Sequence, residues 1–129
     1  MGTKSALNSA KGRYAESLVC TSLLQQGWTI LTRNQYFVGG ELDIIARDPQ
    51  KVLVFVEVKS SWKQSAGRPQ AQVHRKKQVY LWKAASAWIS LHQIPDQPMR
   101  FDVISLCFHN GTCTWDHIRD AFCGPSATY

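Results

Sequence analysis

Three residues near the middle of the chain have the types and spacing to hold a divalent cation and a phosphate. Glu57 and Lys59 interrupt the end of a nearly continuous apolar run, residues 52–58, two positions apart. Side chains alternate along a strand, so Leu53, Phe55, Glu57 and Lys59 are expected on one face, with the charged pair at its end. Asp43 lies one turn earlier, in "GELDIIA". In that run Glu41, Asp43 and Ile45 are expected on one face and Leu42, Ile44 and Ala46 on the other. The turn Asp48-Pro49-Gln50-Lys51 joins the two runs as a hairpin, which sets Asp43 beside Glu57 if the register permits. Neighbouring carboxylates repel, and a divalent cation removes that penalty. Mg²⁺, or Mn²⁺ in its place, takes hard oxygen ligands from one or two carboxylates, from water and from phosphate. Such an ion polarises a phosphodiester and lowers the pKa of a water, while a nearby lysine orients that water or neutralises charge on phosphate. A lone Glu-x-Lys arises by chance about once in ~270 positions. Its weight here comes from the apolar strand before it, the aspartate one hairpin upstream and the basic helix after it.

The charge pattern points to a polyanion. The formal net charge is +6, and no acidic residue occurs between Glu57 and Asp96. That interval holds Lys59, Lys63, Arg68, Arg75, Lys76, Lys77 and Lys83, seven of the fifteen bases. Nucleic acid is the commonest partner of such a one-signed stretch; a solvated helix face is the alternative.

The elements that must position these residues are legible as periodicity and turns. A helix is expected over residues 8–26, with Tyr14, Leu18, Ser22 and Leu23 along one stripe and Gly27 ending it. Glu16 shares a side of that helix with Val19, Cys20 and Leu23, at the edge of the packing face and within reach of a metal site. Strands are expected over residues 28–37, 41–47 and 52–59, the last apolar on both faces and therefore central. A second helix is expected over residues 71–91. Its stripe is Val73, Lys77, Leu81, Ala84, Trp88 and Leu91, so Lys77 points inward near the loop after Lys59. Arg75 and Lys76 fall on other faces, as candidates for phosphate contacts. Strands over residues 100–108 and 112–117 follow, joined at Asn110-Gly111, a strong hairpin signal. Helices separated by strands imply a sheet with helices on its faces. One domain over residues 1–129 is expected, with flexible ends at 1–8 and 123–129.

Several classes are excluded. No apolar run reaches the roughly 20 residues of a membrane span. The start "MGTKSALNSA" has no hydrophobic signal core, so the expectation is a cytoplasmic protein with reduced cysteines. Cys107, His109, Cys113, His117 and Cys123 crowd the C-terminal end, but their spacings match no usual zinc site. They read as small core cysteines and surface histidines. There is no Gly-rich phosphate loop and no nucleophile elbow.

Taken together, "KGRYAES", "LTRNQYFVGGELDIIARD", "LVFVEVK" and "RFDVISL" resemble the YraN-like family of uncharacterised bacterial proteins. That family is grouped with the PD-(D/E)xK nucleases and is similar to archaeal Holliday junction resolvases. The resemblance spans residues 11–122. It implies an α/β fold, a restriction-endonuclease-like three-layer α/β/α sandwich around a central mixed sheet. By position, Asp43, Glu57 and Lys59 match the acid, acid and lysine of the nuclease motif. Glu16 matches a helix glutamate of the resolvase-like branch, and Lys77 a lysine of the second long helix. The family usually has Gly where Ala15 stands, and often Arg after the motif lysine, where Ser60 and Ser61 stand here. The implied activity is Mg²⁺-dependent hydrolysis of DNA, in branched or flapped structures. Asp43, Glu57 and the Val58 carbonyl would ligate the ion, Glu16 would assist and Lys59 would position the water. Lys77 with Arg75 and Lys76, and the flanking Lys63, Arg68 and Lys83, would hold the nucleic acid. A nucleic-acid-binding module without cleavage, working with a partner protein, is the alternative. A dimer is expected only if the substrate is a junction cut symmetrically.

Overall fold

Apolar alternation and turn chemistry set the five strands of the described residues side by side between two helices. The computed structural model describes residues 2–38, 40–62 and 73–123. The elements run α1 (Gly2–Gln25), β1 (Thr29–Phe37), β2 (Gly40–Arg47), β3 (Leu53–Ser61), α2 (Arg75–Leu91), β4 (Met99–His109) and β5 (Thr112–Phe122). The sheet order is β1-β2-β3-β4-β5; β3 and β4 are parallel and the other neighbours antiparallel. A parallel pair requires a crossover, and α2 supplies it. The fold is α/β with a central mixed sheet, as expected, and it is compatible with the restriction-endonuclease-like architecture.

β3 is the middle strand because both its faces are apolar. Val54 and Val56 pack with Ala15, Val19 and Leu23 of α1. Leu53 and Phe55 pack with Leu81, Ala84 and Trp88 of α2. Phe55 stacks on Phe101 at 5.4 Å and meets Trp88 edge-on at 6.1 Å. Each such buried side chain contributes about 1.5–3 kcal/mol. Two turns fix the register. Asp48 Oδ1 accepts the Gln50 and Val52 N–H groups, both at 2.9 Å, which closes the β2–β3 turn. Asn110 and Gly111 both have positive φ, 49° and 75°, as a type I′ hairpin requires.

Several boundaries differ from expectation. α1 begins at Gly2 rather than at residue 8, and its packing face is Ala15, Glu16, Val19, Cys20 and Leu23. Tyr14, expected on that stripe, is 53% exposed. α2 begins at Arg75 rather than at residue 71, and Leu91, expected to be buried, is exposed. β5 continues to Phe122 instead of stopping at His117, because β4 offers it partners as far as Phe101. Residues 124–129 lie outside the described residues. No described helix is long and apolar enough to cross a membrane.

Candidate active site

The sheet splits where the acids stand. β2 and β3 pair from Arg47↔Leu53 to Ile44↔Val56, and there the ladder ends. Beyond it, among the described residues, β3 pairs only with β4, from Glu57↔Val103 to Ser61↔Cys107. β2 pairs onward only with β1, through Leu42 and Glu41. Asp43 occupies the resulting notch. Its Oδ2 accepts the Val58 N–H at 2.9 Å, in place of a strand partner. The N–H and C=O of an extended residue point to the same side of the strand, so the Val58 carbonyl also faces the notch.

The split also breaks the expected alternation in β2. Ile44 and Ala46 pack on the α1 side, while both Ile45 and Leu42 pack on the α2 side. Asp43 and Glu41 are thereby brought towards Glu16 of α1. One carboxylate oxygen from each of Glu16, Glu41 and Asp43 lies within 4.8 Å of the others. Asn34 of β1 ties them together: its amide donates to Glu16 Oε1 at 2.7 Å and to Glu41 Oε2 at 3.4 Å. Asn34 has φ of 53°, a left-handed conformation that asparagine tolerates better than most residues. A cavity of about 190 Å³ opens onto Glu16 and Glu41, lined also by Gly12, Arg13, Asn34 and Tyr36.

On the other side of Asp43 stand Glu57, Lys59 and Lys77. Glu57 stands beside Asp43, and two ionised carboxylates so placed repel. Burial and then the Glu57 charge push the Asp43 pKa up to about 10, against the opposing hydrogen bond from Val58. Glu16 is also raised, by burial first, with the Asn34 hydrogen bond opposing. Lys77 Nζ is 3.4 Å from Glu57 Oε2. Its side chain is 48% exposed, so it is a surface lysine reaching the rim rather than the inward-pointing one expected. Lys59 is lowered by burial, with Glu57 opposing and Lys77 adding to the shift.

The structure thus brings Glu16, Asp43, Glu57, Val58, Lys59 and Lys77 to one end of β3. Arg75, Lys76 and Lys83 are exposed on α2. Lys63 and Arg68 lie outside the described residues. Glu41 and Asn34 were not expected in the site. Glu41 had a signal, since it shares the "GELD" segment with Asp43. Asn34 had only its type, an asparagine in the middle of a strand.

The C-terminal histidines and cysteines form no metal group: among the described residues, Glu16, Glu41 and Asp43 are the group of ligand type. His117 is not the surface histidine expected. Its Nε2 lies 2.9 Å from Oδ2 of Asp102, which is fully buried. Arg100 completes that network, with Nε 2.9 Å from Asp102 and Nη1 2.7 Å from Asp48.

Comparison with known sequences places the chain in a family. Residues 15–106 match the sequence model of "Uncharacterised protein family UPF0102". A UPF0102 protein of Trichlorobacter lovleyi is 40% identical over 116 residues, covering 89% of this chain and 91% of that one. One from Pelobacter propionicus is 43% identical over 117 residues, covering 89% and 84%. One from Bifidobacterium longum is 36% identical over 124 residues, covering 95% and 100%. The match runs from α1 into β4 and includes Glu16, Asn34, Glu41, Asp43, Glu57, Lys59 and Lys77, so the chain belongs to the UPF0102 family, the YraN-like family its motifs resemble.

Proposed function

We propose that this protein is a divalent-cation-dependent nuclease that hydrolyses phosphodiester bonds in DNA, with branched or flapped structures as its preferred substrates. One observation carries the reading: four carboxylates converge on a notch in the sheet, and burial and then the Glu57 charge push the pKa of the central one, Asp43, up to about 10, a cost that a bound cation would relieve. The donor set is oxygen throughout, with no histidine or cysteine, which suits Mg²⁺ or Mn²⁺. Asp43 and Glu57, with the Val58 carbonyl, would hold the ion, and Glu16 and Glu41 would complete its surroundings from the α1 side. The ion, when bound, would polarise the scissile phosphate and ease deprotonation of the attacking water.

The chain's own residues do the rest. Lys59, beside Glu57, orients the attacking water and offsets charge on the phosphate. Arg75, Lys76 and Lys77 form the first turn of α2, which holds no acidic residue. Three bases at the positive end of a helix are unfavourable by themselves, and a phosphate seated among them relieves that cost.

The test is cleavage of end-labelled duplex, single strand, flap, fork and four-way junction, with Mg²⁺, Mn²⁺ or EDTA. Metal-dependent cleavage that is lost in Asp43→Asn and Lys59→Ala is the expected result. Salt-sensitive binding without any cleavage would instead make the chain a binding module that works with a partner protein.

A further inference from the structure

A second cleft flanks α1 on the side away from the acids. Its volume is about 580 Å³, and its walls include Tyr14, Trp62, Phe108 and Trp115, with Asn110 and Thr112 beside them. Trp62 and Phe108 stack face to face, with ring centroids 3.8 Å apart and planes 13° apart. Tyr14 packs against both at 6.0 Å. Lys11 Nζ sits 5.4 Å from the Trp62 ring centre. The cluster is not closed: Tyr14 is 53% exposed and Trp115 38% exposed.

Half-open rings with a cation over one of them suit one kind of occupant. A nucleobase supplies a flat π surface for stacking, and its phosphate supplies the negative charge that Lys11 and the basic chain attract. Asn110 and Thr112 add polar groups for a base edge. Bases inside a duplex are stacked on each other and cannot enter; an unpaired base can. The placement fits a strand that also reaches the acids. Tyr14 and Glu16 are two residues apart on α1, and so lie on opposite flanks of a helix about 10–12 Å across. That is about three nucleotides at the ~3.4 Å rise of a stacked strand.

We propose that this cleft binds an unpaired nucleobase of the substrate strand, a few nucleotides from the phosphate at Asp43. The protein would then select nucleic acid with a single-stranded segment over uninterrupted duplex. The placement near a scissile phosphate rests on the nuclease reading; the stacking does not.

The experiment measures binding in EDTA, where cleavage is silent. A labelled oligothymidine of about 12 nucleotides, in the range of single-strand site sizes, is compared with a blunt duplex. The proteins are wild type, Tyr14→Ala, Trp115→Ala and Tyr14→Phe, each checked for a native circular-dichroism spectrum. The expected result is a loss of about 5- to 100-fold in oligothymidine affinity for the two alanine variants. Tyr14→Phe should bind as wild type does, and duplex affinity should hold within about two-fold, because phosphate contacts are untouched. Unchanged oligothymidine binding in both alanine variants overturns the proposal. So does an equal loss for duplex and single strand. A dimer seen by sedimentation that dissolves in Tyr14→Ala, with oligothymidine binding intact, also overturns it, by making the cleft a surface between copies. The cleavage panel is read separately. If wild type cuts nothing but its oligothymidine binding depends on Tyr14, the cleft stands and the nuclease reading falls. If it cuts with metal but Tyr14 is irrelevant, the reverse holds.

Discussion

Asp43 and Asp102 are both buried, 8% and 0% exposed, on the two strands that flank and pair with β3. Burial alone would raise the pKa of either. For Asp102, hydrogen bonds from His117, Arg100 and the Asp120 N–H outweigh burial and hold it below the ordinary value. For Asp43, the Val58 N–H is outweighed by burial and by Glu57, and Glu16 adds to the shift. Asp48, held by Arg100 and two backbone N–H groups, is also lowered although burial opposes it. The difference lies in the supply of positive charge. One buried carboxylate is neutralised from within the fold. The other is surrounded by its own kind, and in the proposed reading a cation completes it. A buried acid whose matching charge is missing is a candidate binding site.

Asp43→Asn tests that contrast most severely. The variant keeps the size and hydrogen-bonding shape of the side chain and removes its charge. Metal-dependent cleavage should fall by about 10³-fold or more, since the ion's charge stabilisation amounts to several kcal/mol. Single-turnover rates at saturating Mg²⁺ are the measurement. Cleavage within about ten-fold of wild type would place the ion elsewhere. The metal-free variant should be at least as stable as wild type, because a neutral side chain is buried there without having to take up a proton.

Asp102→Ala should behave in the opposite way. It strands Arg100 and His117 without their shared carboxylate, and removing one partner of a buried ion pair costs about 3 kcal/mol. Denaturant unfolding gives the number. Cleavage below the melting transition should persist, because the network does not touch the acids of the notch. Selective loss of cleavage in a folded Asp102→Ala protein would join the two regions and end the comparison.

The two aspartates also predict opposite pH dependence. The folded Asp43 value of about 10 lies above its ordinary 3.8. Ionising Asp43 therefore costs more in the folded chain, and its contribution is fully favourable below 3.8 and lost as pH rises towards 10. Asp102 is lowered, so its contribution is present above 3.8 and lost as pH falls through its folded value. In EDTA, the stability advantage of Asp43→Asn over wild type should grow with pH between 5 and 8, by up to about 1.4 kcal/mol per unit. Added Mg²⁺ should stabilise wild type more at pH 8 than at pH 6, since binding displaces the Asp43 proton. Thermal melts of both proteins across that range decide it.

How much of this was legible depends on the range of the contacts. The acids of β2 and β3 were readable because a hairpin joins them, and a short turn fixes which residues face each other. The central place of β3 was readable from its two apolar faces. The role of Glu41 was hidden because alternation assumes an unbroken sheet, and the sheet splits at Asp43. Asn34 was hidden because its bond to Glu16 joins residues 18 apart. The Arg100–Asp48 pair spans 52 residues, and no local pattern announces it. His117 looked like a surface residue for the same reason: its partner Asp102 belongs to the neighbouring strand.

Lys77 offers the smallest effect and the sharpest separation between stability and function. Its ion pair with Glu57 is 3.4 Å long and its side chain is 48% exposed. Such a pair contributes about 0.5 kcal/mol or less to stability, because water screens it and the lysine loses rotamer freedom. Lys77→Ala should therefore melt within a degree or two of wild type. Its binding to nucleic acid should change more. A lysine that meets one phosphate releases about one counterion, so the slope of log affinity against log salt should become shallower by about one. Titrations at several salt concentrations, in EDTA, isolate that term from catalysis. A parallel loss at every salt would mean that Lys77 shapes the notch through Glu57. An unchanged slope with unchanged affinity would confine Lys77 to the ion pair and leave Arg75 and Lys76 as the phosphate contacts of α2. Asp102 finds its neutralising charge inside the fold, whereas Lys77 brings charge to the notch from an exposed rim. That charge is held loosely enough to be given to a phosphate.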